Sequence, residues 1–238
     1  MTQADIIAFG THPDDAEIGC GGTLIKLAER GRTVVVVDLV AGELGTNGSA
    51  AIRAREAAAS SEILGLHARE NLSLEDGNIA VTAEAKRPIV DVIRRWRPRA
   101  IFLPYWEDRH PDHANASRLI YEATFLAGLV RYDTGQPPHR PSQLFYYMGW
   151  VEFAPSVIVD ITEQAERKLQ AIYAYGTQFR PDVKRGPQTR PTSPTTDALL
   201  RSRMAYYGSL IRSQYGEGFL IRGHLEADDP LMLTFESF

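Results

Sequence analysis

The chain has 238 residues, 44% of them hydrophobic and 24% charged, and its 30 acidic and 26 basic side chains leave a formal net charge of −4. Length and composition predict a single globular domain over residues 1–238. The slight acidic excess gives no reason to expect nucleic acid as a partner. The sequence shows no basic leader region and no apolar run long enough for a membrane span, and its single cysteine cannot form an internal disulfide. We therefore predict a cytoplasmic protein.

Strands and helices are predicted to alternate along most of the chain. Apolar, β-branched runs predict strands at 6–9, 33–40, 70–72, 100–103, 144–148 and 156–159, and helical spacing predicts helices at 16–30, 52–64, 83–96, 115–129, 163–175 and 197–212. This alternation is typical of an α/β fold in which helices flank a mainly parallel sheet. Residues 180–194, which contain four prolines, are predicted to form a long surface loop.

Two short histidine–aspartate clusters each follow a predicted strand. His12-Pro13-Asp14-Asp15 follows the first strand, and His110-Pro111-Asp112-His113 follows the strand at 100–103. Ligands of parallel α/β sheets bind outside the carboxyl ends of the strands, so both clusters are expected at that edge. Either cluster alone could be a helix N-cap with solvated neighbours. Two near-copies at matching strand ends favour one shared site.

The spacing within the clusters predicts a metal site. His12 and Asp15, three residues apart, can face one cation from the same side of a helical turn, and His113 can reach it from the second loop. Two histidines and a carboxylate with one open position are typical of catalytic zinc. Asp14 then remains free to accept a proton from an activated water molecule. His110 and Asp112 flank His113, and one can polarise the other.

These segments resemble a known enzyme family. Residues Thr11–Gly19, followed by Gly21-Gly22-Thr23, resemble the opening motif of the LmbE-like, or PIG-L, deacetylases, and Arg109–His113 resembles their second motif. Pro104–Asn115 and Pro138–Pro141 resemble the branch that deacetylates N-acetylglucosaminyl-malate for bacillithiol. The resemblance implies a Rossmann-like fold and removal of the acetyl group from an N-acetylglucosamine derivative. It also implies a zinc cofactor, with iron or another divalent ion as the alternative.

Roles for the clustered residues follow from the resemblance. Asp14 would be the general base. His110 would stabilise the oxyanion or protonate the leaving amine, oriented by Asp112. The implied zinc ligands are His12, Asp15 and His113.

Three arginines are candidate substrate contacts. Arg53 matches a family arginine that contacts the substrate, and its alternative role is that of an exposed helix residue. Arg140 is either near the site or part of a structural ion pair. Arg109 either contacts the substrate or neutralises Glu107 or Asp108.

Several alternatives remain open at this stage. Cys20, between glycines, is expected to be a packing residue rather than a nucleophile or metal ligand. The glycine-rich segment 41–49 lacks the G-x-G-x-x-G spacing of a nucleotide site and is expected to shape a substrate pocket. The rival functions are deacetylation of another N-acetylglucosaminide (an inositol, a chitooligosaccharide or an antibiotic sugar) and a metal- or nucleotide-binding module without turnover. The family resemblance also implies a small amino-sugar as partner and a homo-oligomer.

Overall fold

A computed structural model describes residues 3–180 and 187–229. Its strands are β1 (Ile6–Gly10), β2 (Val34–Val40), β3 (Ala68–Leu74), β4 (Ala100–Pro104), β5 (Gln143–Tyr147), β6 (Val157–Asp160) and β7 (Gly216–Leu220). Its α-helices are α1 (Asp15–Glu29), α2 (Ala50–Leu64), α3 (Ala83–Trp96), α4 (Pro111–Ala127), α5 (Ala165–Tyr173), α6 (Gly176–Phe179) and α7 (Thr196–Ser209).

The seven strands described form one sheet in the order β3-β2-β1-β4-β5-β7-β6. Strands β1 to β5 run parallel, whereas β7 is antiparallel to both β5 and β6. The predicted α/β, Rossmann-like class with a mainly parallel sheet is confirmed. That the whole chain forms one domain stays a prediction.

The strand order reverses between β1 and β4, which are neighbours in the sheet although about 90 residues separate them in the sequence. From β1 the chain proceeds outward to β2 and β3, and it then returns to β4 on the other side of β1. The loops that leave the carboxyl ends of β1 and β4 therefore diverge to opposite sides and leave a crevice between them. The two histidine–aspartate clusters lie where these loops lead into α1 and α4.

Alternating side chains of the central strands form two cores. In β2, Val35 and Val37 pack on the face covered by α3 and α4, whereas Val34 and Val36 pack on the face covered by α1. Both sets are fully buried, as expected for a parallel strand between two helical layers. The rigid central strands fix the positions from which the two loops begin.

Gly19 allows α1 to approach the sheet closely. A Cβ atom at this position would lie 2.1 Å from the ring of Tyr147 in β5, so only glycine fits there. The Tyr147 hydroxyl in turn donates a hydrogen bond to the Phe9 carbonyl at 2.7 Å. Next to Gly19, Cys20 is buried and its thiol donates to the Ala16 carbonyl, consistent with a packing role. The close approach fixes the first turn of α1, which carries Asp15, against the end of the sheet.

The structure differs from the sequence prediction at several boundaries. Helix α4 begins at Pro111, four residues earlier than predicted, which places His113 in its first turn. Strand β7 was not predicted, and β3 is longer than the predicted 70–72. In the predicted loop 180–194, residues 187–194 contain no helix or strand, and 181–186 lie outside the described residues. No described helix combines the length and apolar character that crossing a membrane would require.

Candidate active site

Three side chains from the two loops converge at the crevice. His12 lies in the β1–α1 loop, Asp15 begins α1, and His113 is in the first turn of α4. His12 Nδ1 lies 3.4 Å from Asp15 Oδ2, and His113 Nε2 lies 3.3 Å from the same oxygen. His113 Nε2 and His12 Nδ1 are 3.3 Å apart. The three atoms form a nearly equilateral triangle, and these residues constitute a candidate metal site.

The size of this triangle matches a tetrahedral metal. Ligand bonds of about 2.0–2.2 Å to nitrogen and oxygen place tetrahedral ligand atoms roughly 3.3–3.6 Å apart. All three observed separations are 3.3–3.4 Å. The donors are two imidazole nitrogens and one carboxylate oxygen, which suits zinc and other borderline divalent ions. The residues present therefore fit the metal that the family resemblance implies.

In each histidine, the ring nitrogen that faces away from the triangle lies close to a further carboxylate. His12 Nε2 lies 3.0 Å from Asp76 Oδ1, so a proton on Nε2 is held by this carboxylate and Nδ1 is the nitrogen that faces the triangle. His113 Nδ1 lies 3.4 Å from Asp108 Oδ1, and this leaves Nε2 for the triangle. Such partners fix the tautomer and orientation of metal-binding histidines. Asp76 was not singled out in the sequence, although it follows β3 as the clusters follow β1 and β4. Asp108 was considered only as a partner of Arg109.

The carboxylates create a strongly negative potential at the triangle. Burial alone would lower the pKa of His12, but hydrogen bonds to Asp15 and Asp76 raise it to about 10. Burial likewise opposes the raised pKa of His113, which the charge on Asp15 and the contact with Asp108 produce. Burial would raise the pKa of Asp15, yet the two histidines hold it below its usual range. A potential that holds protons this firmly also attracts a divalent cation, which replaces them.

Asp14 lies beside the triangle and differs from Asp15 in its strained backbone and its hydrogen bond from Arg53. Its backbone has φ 129°, a strained conformation for a residue with a side chain, and such strain is common at functional sites. The buried Arg53 donates one hydrogen bond to the Pro13 carbonyl at 2.7 Å and another to Asp14 Oδ2 at 3.2 Å. Burial raises the pKa of the Asp14 carboxyl to about 7, against the lowering effect of Arg53. A carboxylate with a pKa near neutrality is well matched to general-base catalysis.

His110 is the N-cap of α4, and its Nδ1 accepts a hydrogen bond from the Asp112 backbone N–H at 3.2 Å. The proton of the neutral ring is therefore on Nε2. Burial, followed by the charges of His113 and His12, lowers the pKa of His110 and favours this neutral form. The ring stacks on His113 with centroids 4.9 Å apart. His110 can thus donate a hydrogen bond from Nε2 without carrying a charge.

Asp112 contacts His110 through its backbone N–H, and the orienting role predicted for this aspartate stays a prediction. The two Asp112 oxygens accept hydrogen bonds from the backbone of Gly77 at 2.7 Å and Ile79 at 3.3 Å. The carboxylate therefore anchors the segment after β3, which carries Asp76. The Asp112 backbone N–H bonds to the His110 ring, so this aspartate connects His110 with the segment that carries Asp76.

An open pocket of about 400 Å³ surrounds the triangle. The glycine-rich segment after β2 forms one wall through Gly42 and Gly45, which agrees with the pocket-shaping role predicted for it. Asp14, Arg53 and His110 also line it. The pocket thus combines the candidate metal site with two groups able to exchange or donate protons.

Two arginines lie on Trp150, a residue that lines this pocket together with Arg109. The Arg109 guanidinium lies 4.4 Å and the Arg190 guanidinium 4.5 Å from the centroid of the Trp150 ring. Trp150 itself is held by a hydrogen bond from its backbone N–H to Asp108 Oδ2 at 2.8 Å. Within the described part of the chain, neither arginine is paired with a carboxylate. The alternative that Arg109 neutralises Glu107 or Asp108 is therefore not observed.

Arg140 does not reach this pocket within one chain. It precedes β5, at the amino edge of the sheet, where its guanidinium stacks on Phe125 and donates to the Phe125 carbonyl. The pocket lies at the opposite, carboxyl edge. We therefore do not retain Arg140 as a substrate contact of its own subunit, and it forms no ion pair with a described carboxylate either.

Comparisons with known proteins agree with this geometry. The family model for GlcNAc-PI de-N-acetylase (PIG-L) matches residues 7–124. A diacetylchitobiose deacetylase of Thermococcus kodakarensis is 33% identical over 231 residues, which cover 90% of this chain and 81% of that protein. The chain belongs to the PIG-L, or LmbE-like, deacetylase family. Both histidine–aspartate clusters of this PIG-L protein fall within the residues that the family model matches.

Two further relatives extend the comparison of this PIG-L protein. The structure of the conserved protein TT1542 from Thermus thermophilus shares 35% identity and superimposes with a TM-score of 0.86, covering 95% of this chain and 98% of that one. A probable N-acetyl-α-D-glucosaminyl L-malate deacetylase 2 of Bacillus anthracis is 26% identical and covers 76% of this chain and 84% of that protein.

The outer carboxylate at His113 provides a first test of the metal site. Asp108→Ala is expected to weaken metal binding about 10–100-fold, because His113 then loses the group that orients its ring. Metal dissociation constants from chelator competition measure this effect. Glu107→Ala, which removes an exposed negative charge from the adjacent position, is the matched control and should retain metal affinity. Equal weakening in both variants would mean that only net charge matters.

Proposed function

We propose that the protein is a zinc-dependent hydrolase that removes the N-acetyl group from an N-acetylglucosamine derivative. The observation that carries this proposal is the triangle of His12, Asp15 and His113 with Asp14 and His110 facing the same pocket. A module that only binds a metal needs neither of the last two groups. A bound divalent zinc ion supplies Lewis acidity, which activates water and polarises the acetyl carbonyl.

Protein side chains supply proton transfer and stabilisation of the developing negative charge. Asp14, held by Arg53, accepts the proton from the attacking water and can return it to the departing amine. His110 donates from Nε2 to the carbonyl oxygen as negative charge develops on that atom. The amide and one water yield acetate and a free amino sugar. His12, Asp15 and His113 are the proposed zinc ligands in this scheme.

The direct test uses the purified, metal-loaded protein with a panel of N-acetylglucosaminides. Release of primary amine and of acetate in equal amounts is expected for at least one member. A protein that binds the metal but releases amine from none of them would contradict the proposal. A cytoplasmic location and a homo-oligomeric state remain predictions.

We further propose that the preferred substrate carries an anionic group, as N-acetylglucosaminyl-L-malate does in bacillithiol biosynthesis. The support is the pair of arginines on Trp150, neither of which has a carboxylate partner among the described residues, since guanidinium groups bind carboxylates through paired, charge-assisted hydrogen bonds. The Bacillus anthracis relative, whose name includes this substrate, also supports the proposal. Arg53 is a third candidate contact, although it is buried and bonded to Asp14.

Diacetylchitobiose is the second candidate substrate. It is favoured by the 33% identity with the Thermococcus kodakarensis enzyme that bears this name. This disaccharide is uncharged, so the arginines on Trp150 would offer it only neutral hydrogen bonds. The two candidate substrates therefore differ in the charge of the group attached to N-acetylglucosamine, which is anionic in the malate compound and neutral in diacetylchitobiose.

Arginine substitutions decide between these candidates. Arg109→Ala and Arg190→Ala are each expected to lower kcat/KM for N-acetylglucosaminyl-L-malate on the order of 10-fold, because a charged contact is lost. Diacetylchitobiose should be affected much less. Arg118→Ala, at an exposed arginine paired with Glu122, is the control. Equal losses on both substrates would mean that the arginines bind the sugar or maintain the loop, and the anionic preference would be wrong.

A further inference from the structure

A second, smaller cavity opens from the candidate metal site. Its volume is about 30 Å³, against about 400 Å³ for the open pocket. The metal ligands Asp15 and His113 form one wall of both cavities. The small cavity is also lined by side chains at the end of β5 and in α7 that do not line the large pocket, among them Met148 and Leu200.

The proton-handling groups identify which part of a substrate occupies which cavity. Asp14 and His110 line the large pocket and do not line the small one. A proton must reach the amide nitrogen as the bond to the acyl group breaks, so the amine and its sugar belong in the large pocket. The alkyl group of the acyl chain, which is bonded to the carbonyl carbon opposite the nitrogen, then points toward the small cavity.

The chemistry of the small cavity suits a short alkyl group. Its volume corresponds to roughly one or two non-hydrogen atoms. Tyr147, Met148 and Leu200 are almost fully buried, and the Tyr147 hydroxyl is bonded to the Phe9 carbonyl, so this residue presents its ring. Arg203 also lines the cavity, but its guanidinium donates to the Gly149 carbonyl. An apolar methyl group is favoured here over water or a charged group.

We propose that this cavity is the acyl pocket of the enzyme, and that its wall, to which Leu200 of α7 contributes, restricts the reaction to acetyl amides. The proposal rests on the proposed deacetylase function and adds the specificity for the acyl group. Longer acyl chains would collide with Leu200 and its neighbours, so the carbonyl group could not reach the metal and Asp14.

The test measures kcat/KM for N-acetyl-, N-propionyl- and N-butyrylglucosamine. Wild-type protein is expected to lose about 10-fold or more with each added methylene group, since a pocket discriminates by roughly 10-fold to 200-fold per methylene. Leu200→Ala should raise the butyryl-to-acetyl ratio at least about 10-fold, because it enlarges the cavity. Leu169→Ala is the matched control, because Leu169 is equally buried but lies in α5 outside the cavity. An unchanged ratio in Leu200→Ala would overturn the proposal.

A binding measurement keeps the inference independent of turnover. Acetate, propionate and butyrate are titrated into the metal-loaded protein by calorimetry. Wild type should prefer acetate, and Leu200→Ala should shift the preference toward butyrate. If no sugar is deacetylated, the proposed function fails, whereas the carboxylate series still decides the acyl pocket. If Leu200→Ala does not fold, Leu199→Ala, at a half-exposed lining residue, replaces it. The same preference order in variant and wild type would refute the pocket.

Discussion

His113→Ala is expected to abolish deacetylation and to release the metal. The substitution removes one corner of a triangle whose other corners, on His12 and Asp15, lie 3.3 Å from His113 Nε2. Two protein ligands cannot hold a tetrahedral ion as firmly as three, so metal affinity should fall well beyond the roughly 10–100-fold expected for an outer carboxylate. Losing the Lewis acid removes several kcal/mol of transition-state stabilisation, so turnover should fall on the order of 10³-fold or more.

Metal content by elemental analysis and turnover by amine release measure these two effects. His224→Ala, which replaces an exposed histidine on the segment after β7, controls for nonspecific loss of metal and should behave as wild type. Circular dichroism confirms that both variants fold. Tightly bound metal in His113→Ala at wild-type stoichiometry would show that the ligand assignment is wrong.

Asp14→Asn is expected to separate catalysis from metal binding. The asparagine keeps the size of the side chain and can still accept the hydrogen bond from Arg53, but it cannot take up a proton. Turnover should therefore fall roughly 10²-fold or more at unchanged metal content, the range expected for a lost general base. The measurement is kcat together with elemental analysis of the same preparation.

The contrast with His113→Ala makes this experiment specific. Asp14 lies next to a proposed ligand in the sequence, so a simple disturbance of the loop would lower metal content as well as turnover. Asp14→Glu serves as a second variant, because it restores a carboxylate at a slightly displaced position and should recover part of the activity. Near-normal turnover in Asp14→Asn would remove this residue from the mechanism.

Much of the fold was predictable because its signals are local. The run of four valines at 34–37 identifies a doubly buried strand, and two Pro-Asp motifs after strands identify loops that begin helices. The strand β7 carried no such signal, since Gly216 and Gly218 weaken the β-strand pattern of the segment. Its place in the sheet depends on pairing with β5 and β6, which are distant in the sequence.

The candidate metal site was predictable for a related reason. The spacing of His12 and Asp15 and the position of His113 after a second strand suffice to bring three ligands to one sheet edge, provided that β1 and β4 are neighbours. No local pattern in the sequence shows that β1 and β4 are neighbours. They become neighbours because the strand order reverses between them. The distances of 3.3–3.4 Å among the ligand atoms then come from the packing of α1 and α4 on the sheet.

The sequence by itself thus predicted which residues form the candidate site, because residue type and local spacing limit what a short motif can do. Only the tertiary structure decided their partners. Asp76 reaches His12 from 64 residues away, and the Asp112 carboxylate accepts hydrogen bonds from the loop after β3 while the Asp112 backbone N–H bonds to the His110 ring. Arg140, close to β5 in sequence, lies at the opposite edge because a strand carries its two ends to opposite sides of the sheet. Contacts between residues far apart in the sequence depend on the path of the whole chain, and a local sequence pattern does not predict that path.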